Sequence, residues 1–210
     1  MMPVPWFDAA LAGVLGLLVG SFLNVVIYRL PKMMERQWAA ECAEYAGTAG
    51  EQVAPVHPPP ADQFNLAQPR SRCQACGHQL RWYENIPVLS YLFLRGCCSS
   101  CGGSISIRYP LVELTTAALF FFCVQKWGAT VTGLAWCGFA ALLVSLAFID
   151  WDTTLLPDDL TLPLLWAGLL ASALQWIDVP LYSSVVGAAA GYLSLWLVYW
   201  GFKLVTGKEG

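Results

Sequence analysis

LAFIDWDTTLLPDDLTLP, residues 146–163, holds Asp150, Asp152, Asp158 and Asp159 within ten positions and has apolar sequence on both sides. A carboxylate in the hydrocarbon of a bilayer is costly, about 2.5–3.5 kcal/mol on insertion scales at a helix centre and less near the interface. The stretch therefore reads as a polar turn between two membrane helices. Pro157 breaks the helix, and Asp158 or Asp159 can cap the next one. That accounts for two of the four acids. Asp150 abuts Ile149 at the end of an apolar helix, where desolvation favours the protonated acid. Such a group can exchange a proton near neutral pH. It is a candidate half of an aspartic-protease pair, in which one carboxylate activates water and the other polarises the peptide carbonyl. Asp152, two residues on, points elsewhere on a helix or a strand and has no role beyond the polarity of the turn.

Outward from this turn the chain is strongly apolar. Of 210 residues, 57% are hydrophobic and only 12% charged, against about 25% charged in soluble domains; mean hydropathy is +0.55. Ten tryptophans suit a membrane–water interface. A net charge of -3, without a basic patch interleaved with aromatics, argues against a nucleic-acid partner. Apolar runs of spanning length predict five transmembrane helices: 7–28, 110–126, 129–149, 160–177 and 181–204. The fold class is an all-α polytopic membrane protein, with a large insert at 29–109 after the first span and spans two to five within 110–206. The first span lacks a basic start and a small-residue cleavage site, so it is not a removable signal peptide. GLLVG (16–20) and GAAAG (187–191) both fit the small-xxx-small pattern of close helix contact, although glycine is common in membrane helices generally.

Orientation follows the basic residues. Arg29, Lys32, Arg36, Arg70, Arg72, Arg81, Arg95 and Arg108 are eight of eleven and cluster around the insert. The positive-inside rule makes the insert cytoplasmic, together with the 150–159 turn, Lys203 and Lys208, and the N-terminus periplasmic. Lys126 dissents. Asp8 and Asp178 fall on the outer side.

The insert has two parts. Residues 39–69 are rich in Gly, Pro, Ala and polar residues, and an irregular or extended segment is expected; His57 there reads as solvated. Residues 72–108 carry Cys73 and Cys76, then Cys98 and Cys101, separated by 21 residues. That gap lies just beyond the usual zinc-ribbon range of about 15–20. Four thiolates suit tetrahedral Zn2+, glycine follows each pair where a tight turn needs it, and so small a unit needs a staple. A reducing cytoplasm disfavours a disulfide in its place. Cys98 is preferred to Cys97 as the fourth ligand. The connector between the pairs is long enough for a hairpin, and its RWYENIPVLSYL (81–92) either folds back on the membrane or lines a small-molecule site; Glu84 and Asn85 are weak cofactor-binding candidates. Cys123 and Cys137 read as small buried hydrophobes.

GSFLNVVIYRLP (20–31), the paired CxxC units around WYENIPVLSY, IRYPLVELTTAALF (107–120) and FIDWDTTLLPDDLTLP (148–163), in this order, closely resemble the type 4 prepilin leader peptidase/N-methyltransferases, and YWGFKLVTGKEG (199–210) is similar to their pseudomonad members. The resemblance implies a bifunctional enzyme of the bacterial inner membrane. It would cut the leader from type IV prepilins and type II secretion pseudopilins at a glycine–phenylalanine bond on the cytoplasmic side. It would then methylate the new amino terminus from S-adenosylmethionine. Asp150 matches the family's first catalytic aspartate, and the four cysteines match a cluster associated with methylation. No G-x-G-x-x-G in a strand–turn–helix setting supports a Rossmann methyltransferase. The family's second catalytic aspartate belongs to a Gly-x-Gly-Asp loop beyond the fifth span, not found in these 210 residues. The expectation is an N-terminal fragment, without the later spans, that does not cleave prepilins by itself. From the residues alone, a transporter fragment or a membrane scaffold that docks a partner through its zinc ribbon is the alternative.

Overall fold

The computed structural model describes residues 6–48 and 64–207. Its elements are α1 (Trp6–Thr48), a 3₁₀ turn (Trp82–Asn85), α2 (Leu89–Phe93), α3 (Arg108–Trp127), α4 (Val131–Thr153), α5 (Asp158–Ala173) and α6 (Leu181–Thr206). No strand forms among the described residues; two isolated antiparallel bridges, Arg72 with Gln79 and Cys97 with Ser104, are the extent of β pairing. The connector between the CxxC pairs, long enough for a hairpin, forms the 3₁₀ turn and α2 instead. Helices α1, α4 and α6 are long and apolar enough to cross a membrane. At 16 residues, α5 is about 24 Å long, short of a bilayer core.

The core lies where α1, α3 and α4 meet. Leu23 and Ile27 of α1, Val112 and Phe120 of α3, and Val144 and Ile149 of α4 are all buried there. Two hydroxyls in this interior are satisfied within their own helices: Thr116 donates to the Val112 carbonyl at 2.8 Å and Ser145 to that of Ala141 at 3.1 Å. The close approach of α1 and α3 depends on Gly16 and Gly20. A Cβ at Gly16 would lie 2.7 Å from the Ala117 Cα, and one at Gly20 would lie 2.7 Å from the Glu113 Cα. The same spacing at Gly187 and Gly191 meets nothing within 4 Å, and no residue of α6 is buried. One glycine pair is thus a contact face and the other faces open space. Helices α5 and α6 join through Ser172, which donates to the Val179 carbonyl at 2.6 Å and accepts from the Ser184 hydroxyl at 3.1 Å.

Helix boundaries depart from expectation in three places. Helix α1 continues through Pro31 to Thr48, so residues 39–48 are helical rather than irregular. Residues 33–46, MMERQWAAECAEYA, are dominated by strong helix formers, which outweigh the amide hydrogen bond lost at Pro31. Helix α4 runs to Thr153, so Asp150 and Asp152 sit in its last turn and not in a loop. Pro157 is the N-cap of α5, and Asp158 and Asp159 occupy the first turn without a capping hydrogen bond; they favour the helix by charge, and Asp158 also accepts the Thr161 hydroxyl at 3.4 Å. His57 and Lys208 lie outside the described residues.

Candidate functional site

Each CxxC pair folds into the same knuckle. The Cys73 carbonyl accepts the Gly77 N–H at 2.9 Å while the Cys73 N–H reaches the His78 carbonyl at 2.8 Å; Cys98 repeats both bonds with Gly102 and Gly103. Gly77 (φ 73°) and Gly102 (φ 67°) take the left-handed conformation that closes each turn. The knuckles converge so that the sulfurs of Cys73, Cys76, Cys98 and Cys101 lie within 4.8 Å of one another, with Cys73 and Cys101 at 3.9 Å. Thiolates around a tetrahedral ion with metal–sulfur bonds of about 2.3 Å stand about 3.8 Å apart, so the cluster can hold a metal ion. Cys97 lies outside it and turns its thiol to the Arg95 carbonyl. The N–H groups of Cys76 and then Ala75 bring the Cys73 thiol down to about 7, and those of Cys101 and Ser100 lower Cys98. Cys101 is pushed up to about 11: the Gly103 N–H opposes the shift, but the Cys76 thiol and burial prevail. Four thiols this close do not all ionise without a cation among them.

Glu84 ties the two knuckles together. Its buried carboxylate accepts the Arg81 N–H at 2.8 Å and the Ser99 hydroxyl, and lies 3.3 Å from His78 Nε2. Ser99 belongs to the second knuckle and His78 to the first. The Arg81 N–H and then Ser99 hold this carboxyl below its ordinary range. All of these bonds are internal to the unit, so Glu84 acts as its brace. Asn85 is exposed beside it.

Two attachments fix this unit to the helices, and a third bond ties the two helices together beneath it. Arg29 of α1 donates to the carbonyls of Asn65 at 2.8 Å and Leu66 at 3.3 Å, and to that of Pro69. Asn24 donates to the Tyr109 carbonyl at 3.1 Å, joining α1 to the start of α3. Glu113 of α3 accepts the Val88 N–H at 2.7 Å. Val88 has φ 58°, a conformation that a β-branched residue adopts only under constraint, and the bond to α3 supplies one. A cleft of about 930 Å³ lies between the cysteine unit and these ends of α1 and α3.

The aspartates gather at the same end of the bundle. Arg108, which opens α3 just beyond the cysteine unit, pairs with Asp152 in the last turn of α4, and its guanidinium lies 5.5 Å from the centre of the Phe148 ring. Asp150 is exposed on a different face of α4, not enclosed as its apolar flank suggests, and no partner among the described residues reaches its carboxylate. The C-terminal end of a helix is also where the dipole gives a carboxylate no support. Asp158 and Asp159 border a second cleft of about 280 Å³ beside Met34, Gln37 and Trp38 of the α1 extension.

Sequence reasoning missed Glu113 and the Arg108–Asp152 pair. Glu113 did carry a signal: an ionisable residue within an apolar run is a functional candidate by default. The pair spans 44 positions and left no local trace.

Two family signatures cover most of the chain: one described as the bacterial peptidase A24 N-terminal domain matches residues 14–127, and that of the type IV leader peptidase family matches residues 137–210. A curated prepilin leader peptidase/N-methyltransferase from Pseudomonas putida is 52% identical over 98% of this chain and 68% of its own length. Its namesake from Aeromonas salmonicida is 50% identical over 99% and 69%, and that from Neisseria gonorrhoeae is 50% identical over 97% and 69%. No solved structure matches. With both signatures and relatives of half-identical sequence along nearly its whole length, the chain belongs to the prepilin leader peptidase/N-methyltransferases, a family of enzymes.

Proposed function

We propose that this protein removes the leader peptide from type IV prepilins and type II secretion pseudopilins, and then methylates the exposed N-terminal phenylalanine with S-adenosylmethionine as donor. The observation that carries the reading is the meeting of an unpaired Asp150 and a four-cysteine unit at one end of one helix bundle, joined there by Arg108 and Asp152. Neighbouring centres suit two successive reactions on one peptide terminus, because the product of the first is already close to the second. In the first, Asp150 supplies one of the two carboxylates an aspartic mechanism requires, handling the proton of the attacking water or of the scissile carbonyl; no second carboxylate among the described residues reaches it, so the other acid of the pair carries no residue assignment. In the second, the amine freed by cleavage forms a bond to the methyl carbon, the sulfur keeps the electron pair of the broken S–CH3 bond, and the amine's proton passes to water.

Zn2+ in the cysteine cluster is structural in this reading: all four positions are thiolate, which leaves none open for substrate. The protein lies in the bacterial inner membrane, with α3 and α5 joining the three longer helices as a five-span bundle, the bilayer thinning locally over the short α5, the cysteine unit in the cytoplasm and the N-terminus in the periplasm. Asp150→Asn in the intact, detergent-purified protein lowers prepilin cleavage by about 10²–10⁴-fold and leaves thermal stability and metal content unchanged. Undiminished appearance of mature pilin would remove Asp150 from the mechanism.

A further inference from the structure

The cleft above the bundle contains one group that its surroundings do not explain. Of its charged lining, Arg29 is committed to three carbonyls and Glu84 to the knuckles, while Arg70 and Arg72 are exposed cations. Glu113 is different. It is only 7% exposed, it lines the cleft, and no cation among the described residues pairs with it. The Val88 N–H reaches one oxygen at 2.7 Å and the Ser21 hydroxyl also hydrogen-bonds the carboxylate, but neither supplies a counter-charge. A carboxylate withdrawn from water without a counter-charge is costly. Tyr28, Tyr91 and Tyr109 line the same cleft, and aromatic faces attract organic cations. The volume falls at the upper end of the about 300–1,000 Å³ usual for small-molecule sites.

We infer that this cleft is the binding site of the methyl donor, with Glu113 as counter-charge to the sulfonium of S-adenosylmethionine; the inference rests on the methyl-transfer reading above. Of the two reactants, the donor is the one suited to a fixed buried carboxylate. An amine beside it would be held protonated, and a protonated amine has no electron pair with which to attack. The sulfonium cannot be deprotonated and stays cationic at every pH. Transfer of the methyl group turns sulfur into a neutral thioether, so the same carboxylate favours the loaded donor over the spent product.

The test is equilibrium binding of S-adenosylmethionine and of S-adenosylhomocysteine to the intact protein in lipid nanodiscs, with metal content as the check that the cysteine unit is folded. The wild-type protein prefers the sulfonium form. Glu113→Gln weakens its binding by about tenfold or more and leaves the thioether nearly unchanged, so the preference collapses. Val25→Trp, which projects into the cleft from α1, blocks both ligands and decides the matter if Glu113→Gln fails to fold. Donor binding that survives Val25→Trp, or a preference unchanged in Glu113→Gln, overturns the inference; methylation of a pre-cleaved pilin peptide by the wild-type protein would then leave the functional reading standing. A wild-type protein that neither binds the donor nor methylates that peptide overturns both.

Discussion

Replacing Gly16 and Gly20 together by alanine tests how α1 and α3 are held. At both positions the new Cβ would lie 2.7 Å from a backbone Cα of α3, and at Gly16 also 2.9 Å from the Thr116 carbonyl oxygen. Ordinary van der Waals contact begins at about 3.5 Å, so the helices must separate by close to 1 Å along the contact. Backbone atoms have no rotamer through which to yield. Overpacking of this kind costs about 1–3 kcal/mol. The two sites share one interface, so their effects do not add. At about 2–4 °C per kcal/mol for a chain of this size, the melting temperature in detergent falls by roughly 2–12 °C. The control is Gly187→Ala with Gly191→Ala, where nothing lies within 4 Å; there the change stays within about 0.5 kcal/mol. Equal losses in the two pairs, or none at Gly16 and Gly20, would refute the claim that close approach rather than glycine content distinguishes them.

Three further outcomes follow from the site. Elemental analysis of the purified protein gives about one zinc per chain; Cys98→Ser loses it and Cys97→Ser keeps it, since only Cys98 joins the cluster. Glu84→Gln lowers the melting temperature at pH 7. Because the native carboxyl lies below its ordinary value of 4.5, its contribution is complete above that value and disappears as pH falls through the native one, so the gap from wild type closes in acid. A double-mutant cycle on Arg108 and Asp152 yields a coupling of about 0–1 kcal/mol, since each side chain keeps about a third of its surface exposed; a much larger value would mean that the pair is buried from solvent in the membrane-bound protein.

The parts legible in the sequence were those whose chemistry is local. The CxxC pairs declared their ligands by spacing, and Cys98 over Cys97 followed from that spacing alone. The end of the first apolar run was legible, but the helix beyond it was not: residues 39–69 read as irregular from their composition as a whole, and the strong helix formers of residues 33–46 carry no apolar run to mark them. The two glycine motifs show the limit most clearly. Their spacing is the same, and only the presence of α3 beside one of them separates contact from open space. Glu84, Glu113, Arg29 and Arg108 owe their roles to partners brought together by the fold. Glu84 was noticed as a binding candidate for its residue type; three bonds inside the unit make it a brace, and it also lines the cleft.

The continuity of α1 gives this molecule a mechanical property. Its 43 residues make a rod about 64 Å long, roughly twice the thickness of a bilayer's hydrocarbon core. The fulcrum is Pro31, the last buried position described in α1, and about 25 Å of helix extends from there to Thr48. A tilt of ten degrees at the fulcrum, small among the motions of packed helices, sweeps the Thr48 end through roughly 4 Å. The far end of α1 is thus a pointer that magnifies rearrangements within the bundle, and a spin label at Glu44 would read them at a distance from either chemistry.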